Sequence, residues 1–216
     1  MYRYNQTQYG KKIRDKFTVE DHQFETYVPP EARMLIIGTF PTHEGNFRYK
    51  YYYSGEENHF WSIIEKVFNH TFGHHSGPEA VQERKDFLEQ HRIGITDMIE
   101  KCYRKNNLSG DENIFPIVLR DIFSIIEANK TITRLILTSR TEVFGVLGLL
   151  TTYFYQKGQQ PIKTMKRKDK ILEGDFEWAG RSIKVLVPYS PSPRVINDGG
   201  TTIEELEQMY RVCLAG

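Results

Sequence analysis

MLIIGTFPTHEGNFRYKYYYSGEENHFW, residues Met34 to Trp61, is the stretch on which the fold turns. It opens on an apolar run, Met34-Leu35-Ile36-Ile37, whose shortness and β-branching predict a buried strand. Gly38-Thr39-Phe40-Pro41 then turns the chain. A long polar and aromatic loop follows, and a helix pattern begins at Asn58-His59-Phe60-Trp61. A strand that ends at such a turn and feeds a helix puts its loop at the carboxyl edge of a sheet. Open α/β folds bind their ligands there. The rings and hydrogen-bonding groups of this loop suit a flat polar ligand such as a nucleobase.

Outward from this stretch the same alternation repeats. The helix after it carries Phe60, Ile63, Ile64, Val67 and Phe68 on one stripe, with Asn58 at the N-cap position. The turn from Thr71 to Pro78 breaks it, and a charged helix over about 79–91 leads to a second strand, Ile93 to Met98. A polar loop, Arg104 to Gly110, is followed by a helix expected from about Pro116, with Val118, Ile122, Ile125 and Ile126 on one face. Leu135 to Thr138 reads as the third strand. Ser139 and Glu142 suggest a capping box for a helix bearing Val143, Phe144, Val146, Leu147 and Leu150. Ile183 to Val187 is the last strand, with Phe176-Glu177-Trp178 as a hairpin partner through Ala179-Gly180. Thr201, Thr202, Glu204 and Glu205 cap a final helix. This order predicts a three-layer α/β/α sandwich with a central, mainly parallel four-stranded sheet. Four strand-ending loops then share one edge: 38–58, 96–109, 138–141 and 188–194. Residues 1–30 are polar, end in Pro29-Pro30 and are expected to form a flexible arm or lead-in, with residues 31–216 as one domain.

At 216 residues, 39% hydrophobic and 26% charged, the chain suits a single soluble domain with a real core. No apolar run reaches the ~20 residues that span a bilayer, and the first residues have no signal-peptide core. No membrane is expected, and the setting is read as a reducing cytoplasm. Cys102 and Cys213 are the only cysteines, too few for a disulfide framework or a four-thiolate cluster. Lys and Arg number 29 against 28 Asp and Glu, so a nucleic-acid partner must be met by a local patch. One basic cluster exists, at Lys163, Lys166, Arg167, Lys168 and Lys170; it reads equally as a solvated loop.

No P-loop, GxGxxG, GxSxG or HExxH occurs, and His70, His74 and His75 lack the spacing of a zinc site, so neither metal nor cofactor is expected. Cys102 has no histidine partner in sequence and reads as a buried thiol. The polar and aromatic residues at the strand ends remain, and with them a resemblance. Gly38-Thr39-Phe40-Pro41 matches a G-x-x-P turn after a strand. Tyr52-Tyr53-Ser54-Gly55 leads into the N-x-F-W of Asn58 to Trp61. Ile93 to Met98, followed by Cys102-Tyr103-Arg104 and Leu108, is similar to a G-I-x-x-W-D-V segment with a C-x-R loop. Val187 to Val195 is similar to a Pro/Ser-rich turn ending in Arg-Val. With these four motifs in order from about Met34 to Val212, the chain resembles the uracil-DNA glycosylase superfamily, and most of all its hypoxanthine-DNA glycosylase and mismatch-specific uracil-DNA glycosylase branches.

The resemblance implies a monofunctional DNA glycosylase of base-excision repair, a monomer acting on DNA with deaminated or mismatched bases. Such an enzyme flips the base out and hydrolyses its N-glycosidic bond through an oxocarbenium-like transition state. Uracil and hypoxanthine are the expected bases. Asn58 would position water or contact the sugar, or act as a helix cap alone. His59 would stabilise charge, and Asp97 would act as a base or help hold DNA; structural roles for both stay open. Gly38, Thr39, Phe40, Pro41, Tyr53, Thr138 and Ser139 would form the base pocket, with Phe40 stacking on the base or packing in the core. Ser190, Ser192 and Arg194 would pinch phosphates or enter the minor groove, or form no more than a Pro-rich turn, and Lys166, Arg167 and Lys168 would track the flanking backbone. Two departures stand out. Phe40 takes the place of the water-positioning Asn of the mismatch-specific branch, and Thr138-Ser139 replaces a frequent Asn-Gly pair. A non-catalytic binder of damaged or single-stranded DNA is the alternative, and a nucleoside-handling enzyme with the same pocket a third reading.

Overall fold

The computed structural model describes residues 16–160 and 162–215; the first half of the expected arm lies outside them. The strands are β1 (Phe17–Asp21), β2 (Met34–Gly38), β3 (Ile93–Asp97), β4 (Ile99–Lys105), β5 (Ile114–Leu119), β6 (Arg134–Leu137), β7 (Lys163–Lys168), β8 (Ile171–Trp178) and β9 (Arg181–Val187). The helices are α1 (Phe60–Phe68), α2 (Gly77–Gln90), α3 (Ile122–Ala128), α4 (Val146–Gln156), α5 (Pro193–Asn197) and α6 (Ile203–Leu214).

The principal sheet has the order β3-β2-β6-β9-β8-β7. The first four strands are parallel and are the four expected from sequence. All of β2 is buried, because a parallel strand covered on both faces reads as an unbroken apolar run. Its side chains alternate between two cores. Ile36 joins Ile136 and Leu186 beneath Phe60, Ile63 and Ile64 of α1, Phe87 of α2 and Leu206 and Tyr210 of α6. Leu35 and Ile37 join Leu135, Leu137, Val185 and Val187 beneath Ile122 and Ile126 of α3 and Leu150 and Phe154 of α4. Helices thus flank the sheet on both sides.

The four-stranded sheet expected from sequence is corrected to six strands. β8 pairs antiparallel along the whole of β9, from Leu172 opposite Val187 to Trp178 opposite Arg181. β7 pairs antiparallel with β8. Both hairpins close through two-residue turns with both residues at positive φ, Ala179-Gly180 and Asp169-Lys170. Such turns match the twist of the strands they join. The basic cluster is therefore no loop but an edge strand, where lysines also discourage strand addition from another chain.

A second sheet, of order β1-β4-β5, was not anticipated. Phe17 to Asp21, within the expected arm, pairs with Lys105 to Lys101 of β4, and Tyr27 bridges to Ile95. Residues 116–119, read as the start of a helix, belong to β5 instead. β-Branched Ile114, Ile117 and Val118 favour the strand, and Pro116 is tolerated because β5 lies at an edge. The helix begins at Ile122, where the Asp121 carboxylate accepts the Ser124 N–H. Likewise α4 begins after Gly145, not at Ser139. Ser139 turns its hydroxyl toward Asp111 instead. The capping box of the last helix forms as expected between Thr202 and Glu205. Among the described residues no helix is long and apolar enough to cross a membrane.

Candidate active site

The carboxyl ends of β2, β3, β6 and β9 face one cleft of about 1110 Å³. Its lining includes Thr39, Phe40, Pro41, Tyr53, Asn58, Asp97, Thr138, Ser139, Ser190, Ser192 and Arg194. Eleven of the residues expected at the site thus come together from segments far apart in sequence. Gly38 lies beneath the cleft. A Cβ there would sit 2.1 Å from an Asp97 carboxylate oxygen and 2.7 Å from the Tyr53 hydroxyl, so only glycine lets both side chains close over the end of β2. His59 is not in the lining. Its backbone N–H donates to the Pro191 carbonyl at 3.0 Å, which ties the start of α1 to the Pro/Ser turn after β9. Lys166, Arg167 and Lys168 are exposed on β7, outside the cleft.

The floor is a chain of polar groups at the strand ends. The Thr138 hydroxyl donates to the Ile37 carbonyl at 3.2 Å, so the Tyr53 hydroxyl, 3.0 Å away, donates to Thr138. Tyr53 has positive φ and stacks on Phe60 with ring centroids 4.1 Å apart. Burial holds its phenol well above the usual tyrosine range, so it stays a donor. On the wall, Asn58 accepts the Phe60 N–H at 2.9 Å through its side-chain oxygen. An amide oxygen has a second lone pair, so fixing the helix start leaves it able to accept from a water.

Two cleft features come from segments that sequence reasoning left unused. Asp97 accepts a 2.9 Å hydrogen bond from His22 Nε2. His22 Nδ1 accepts the Phe24 N–H, which fixes the tautomer that donates to Asp97. The His22 ring also meets Phe40 edge-on, with centroids 5.4 Å apart. β1 thus delivers a residue that braces both Asp97 and Phe40. Asp111 is the second. It opens the short turn Asp111–Asn113 after Gly110 and lines the cleft. The Ser139 hydroxyl donates to it at 3.2 Å and Thr39 donates to it as well. Burial pushes its carboxyl up to about 6 against these two bonds, with Glu112 and Asp97 adding repulsion. Sequence reading ended this loop at Ser109, two residues short; an acid directly after a Ser-Gly turn at the sheet edge was the signal.

Buried Arg104 holds these loops together. Its guanidinium donates to Glu20 of β1 at 2.8 Å, to the Leu108 carbonyl at 2.8 Å and to the Pro41 carbonyl at 2.7 Å. It lies 5.4 Å from the centroid of the Phe40 ring. The arginine of the C-x-R motif is therefore the clamp that sets the Phe40 turn. Cys102, two residues earlier on β4, is buried, and burial pushes its thiol up to about 11, which suits a packed thiol and not a nucleophile.

At the rim, Arg194 makes a two-pronged pair with Glu112, 3.0 Å to each carboxylate oxygen. The pair joins the Asp111–Asn113 turn to α5 across the mouth. Arg140 lies over the Tyr189 ring at 3.5 Å and donates to the Lys170 and Val187 carbonyls. This contact puts the β7–β8 turn beside the end of β9.

The model of the uracil DNA glycosylase superfamily matches residues 25–213. No curated protein and no solved structure matches the chain.

Proposed function

The chain belongs to the uracil DNA glycosylase superfamily, whose members are generally DNA glycosylases, and from that premise we propose that it hydrolyses the N-glycosidic bond of a deaminated base flipped out of DNA, uracil or hypoxanthine. The observation that carries this reading is the convergence of four strand ends on one cleft, with an asparagine on its wall and hydroxyl and carboxyl groups on its floor. Chemistry on a base requires a pocket that stacks its face and bonds its edge. Phe40 is the stacking ring, steadied by His22 and Arg104. Thr39, Tyr53, Thr138 and Ser139 supply the edge. Asn58 positions the attacking water, which Phe40 cannot do. The mechanism is monofunctional: water, not a lysine amine, attacks the sugar.

The reading is tested with duplex and single-stranded oligonucleotides carrying uracil, hypoxanthine, xanthine or mispaired thymine. Alkali then cleaves any abasic sites. Alkali-labile product at uracil or hypoxanthine, with chelator present and no cleavage before alkali, is expected. Strong binding to these substrates with no product from any of them favours the non-catalytic binder. Excision of mispaired thymine alone moves the substrate to the mismatch class.

A further inference from the structure

We propose that Asp111 is the general acid of this reaction, meeting the flipped base at the floor of the cleft and giving it a proton as the glycosidic bond breaks. The inference rests on the glycosylase reading above. Its first support is position. Thr39 and Ser139, which hold the Asp111 carboxyl, stand just past the ends of adjacent strands β2 and β6. The carboxyl therefore sits over the middle of the sheet edge, among the groups that would read the base, and shares one cleft with Asn58.

The second support is the charge of the cleft. Its lining carries Glu56, Glu57, Asp97, Asp111, Glu112 and Asp198, against Arg48 and Arg194 alone. Arg194 is exposed and paired with Glu112, and Arg48 with Glu56. A base leaving as an anion would take on negative charge among these carboxylates, and among the described residues of the lining each arginine is already paired with one of them. The donors on its floor are neutral hydroxyls, and the carboxylates around them oppose the charge of a departing anion. Protonation removes the problem, because the base then departs neutral. In that step the carboxyl proton passes to an acceptor atom of the base, and the bond between C1′ and the base nitrogen breaks with its electron pair on the base. Water adds to C1′, and the proton it releases restores the carboxyl.

The surroundings of Asp111 fit an acid that works near neutrality. Thr39 and Ser139 face it from β2 and β6, Glu112 from its own turn, Asp97 with its partner His22 from β3, and Arg194 from α5. With burial foremost, these hold the carboxyl at about 6. A catalytic acid is most effective when its pKa lies close to the working pH.

Single-turnover excision measured from pH 5 to 8.5 decides the matter. The wild-type rate should fall as pH rises through about 6, because the protonated form is the active one. Asp111→Asn keeps the shape and one oxygen able to accept from Thr39 or Ser139 but has no acidic proton to give. It should lose at least ~100-fold at pH 6, the scale of general acid catalysis, and lose the falling limb. Asp111→Ala should be impaired far more on uracil than on 5-fluorouracil, whose anion is the better leaving group. A falling limb that persists in Asp111→Asn, or equal losses on the two bases in Asp111→Ala, overturns the proposal and leaves Asp111 a structural tie. If the wild type excises nothing, the glycosylase reading and this inference fall together; if it excises and the variants match it, only this inference falls.

Discussion

Arg194 shows how one contact can hide a residue's purpose. Its guanidinium is exposed, yet both carboxylate oxygens of Glu112 occupy it at 3.0 Å, and this pairing raises the arginine and lowers the carboxylate from their usual values. A carboxylate holding an arginine in a two-pronged pair occupies the place a phosphate would take. On the expectation that Arg194 grips a phosphate beside the lesion, DNA must first displace Glu112. Glu112→Gln should tighten binding to lesion DNA by up to about fivefold, the ~1 kcal/mol ceiling of an exposed ion pair. Arg194→Ala should lower excision more than it lowers binding to undamaged duplex. Fluorescence anisotropy on labelled duplexes reads both. Unchanged affinity in Glu112→Gln, with a clear loss in Arg194→Ala, would mean that Arg194 reaches phosphate without leaving its partner.

Elements built from continuous apolar runs were legible in the sequence, and those built from pairing were not. β2, β3, β6 and β9 announce themselves because strands buried on both faces need little but apolar residues. β1 and β7 do not: Phe17–Asp21 and Lys163–Lys168 are mostly polar, and only their partners make them strands. The same holds for the site. Residues at the ends of the legible strands, such as Thr39, Asp97 and Thr138, could be placed at the cleft from sequence. His22 and Asp111 were missed because the unforeseen second sheet carries them in. The recast β7 also sharpens what the basic cluster can do. Successive strand residues face opposite sides, so Lys166 and Lys168 share one face and Arg167 lies on the other, near enough to add to burial in lowering the Arg140 guanidinium from its usual value. A DNA backbone running along one face meets at most two of the three. Replacing Lys166, Arg167 and Lys168 with Ser should flatten the slope of log affinity against log salt by roughly 1–2, at ~0.9 per phosphate contact, for any sequence alike. An unchanged slope would leave the lysines as guardians of a sheet edge.

Across the whole molecule, charge is sorted by place. The chain carries a net charge of only +1, the charged groups that line the cleft are mostly carboxylates, and cations stand at its rim and along β7. On the proposed reading phosphates would stay outside while a neutral base enters, the division of labour that base flipping needs. The fold supplies the geometry. Parallel strands end together, β1 braces their loops through His22 and Glu20, and Arg104 ties three segments at one point. The central claim is that this cleft breaks a glycosidic bond with Asn58 placing the water. It is tested most directly by measuring free base released, by mass spectrometry, from uracil and hypoxanthine DNA under single-turnover conditions with wild type and Asn58→Ala. Free base equal to the abasic sites formed is expected from the wild type. Asn58→Ala should show at least ~100-fold slower release, as for the loss of one positioned catalytic hydrogen bond, with DNA affinity kept within a few-fold. A folded Asn58→Ala protein that releases base at the wild-type rate would contradict the account and leave Asn58 as no more than the residue that fixes the start of α1.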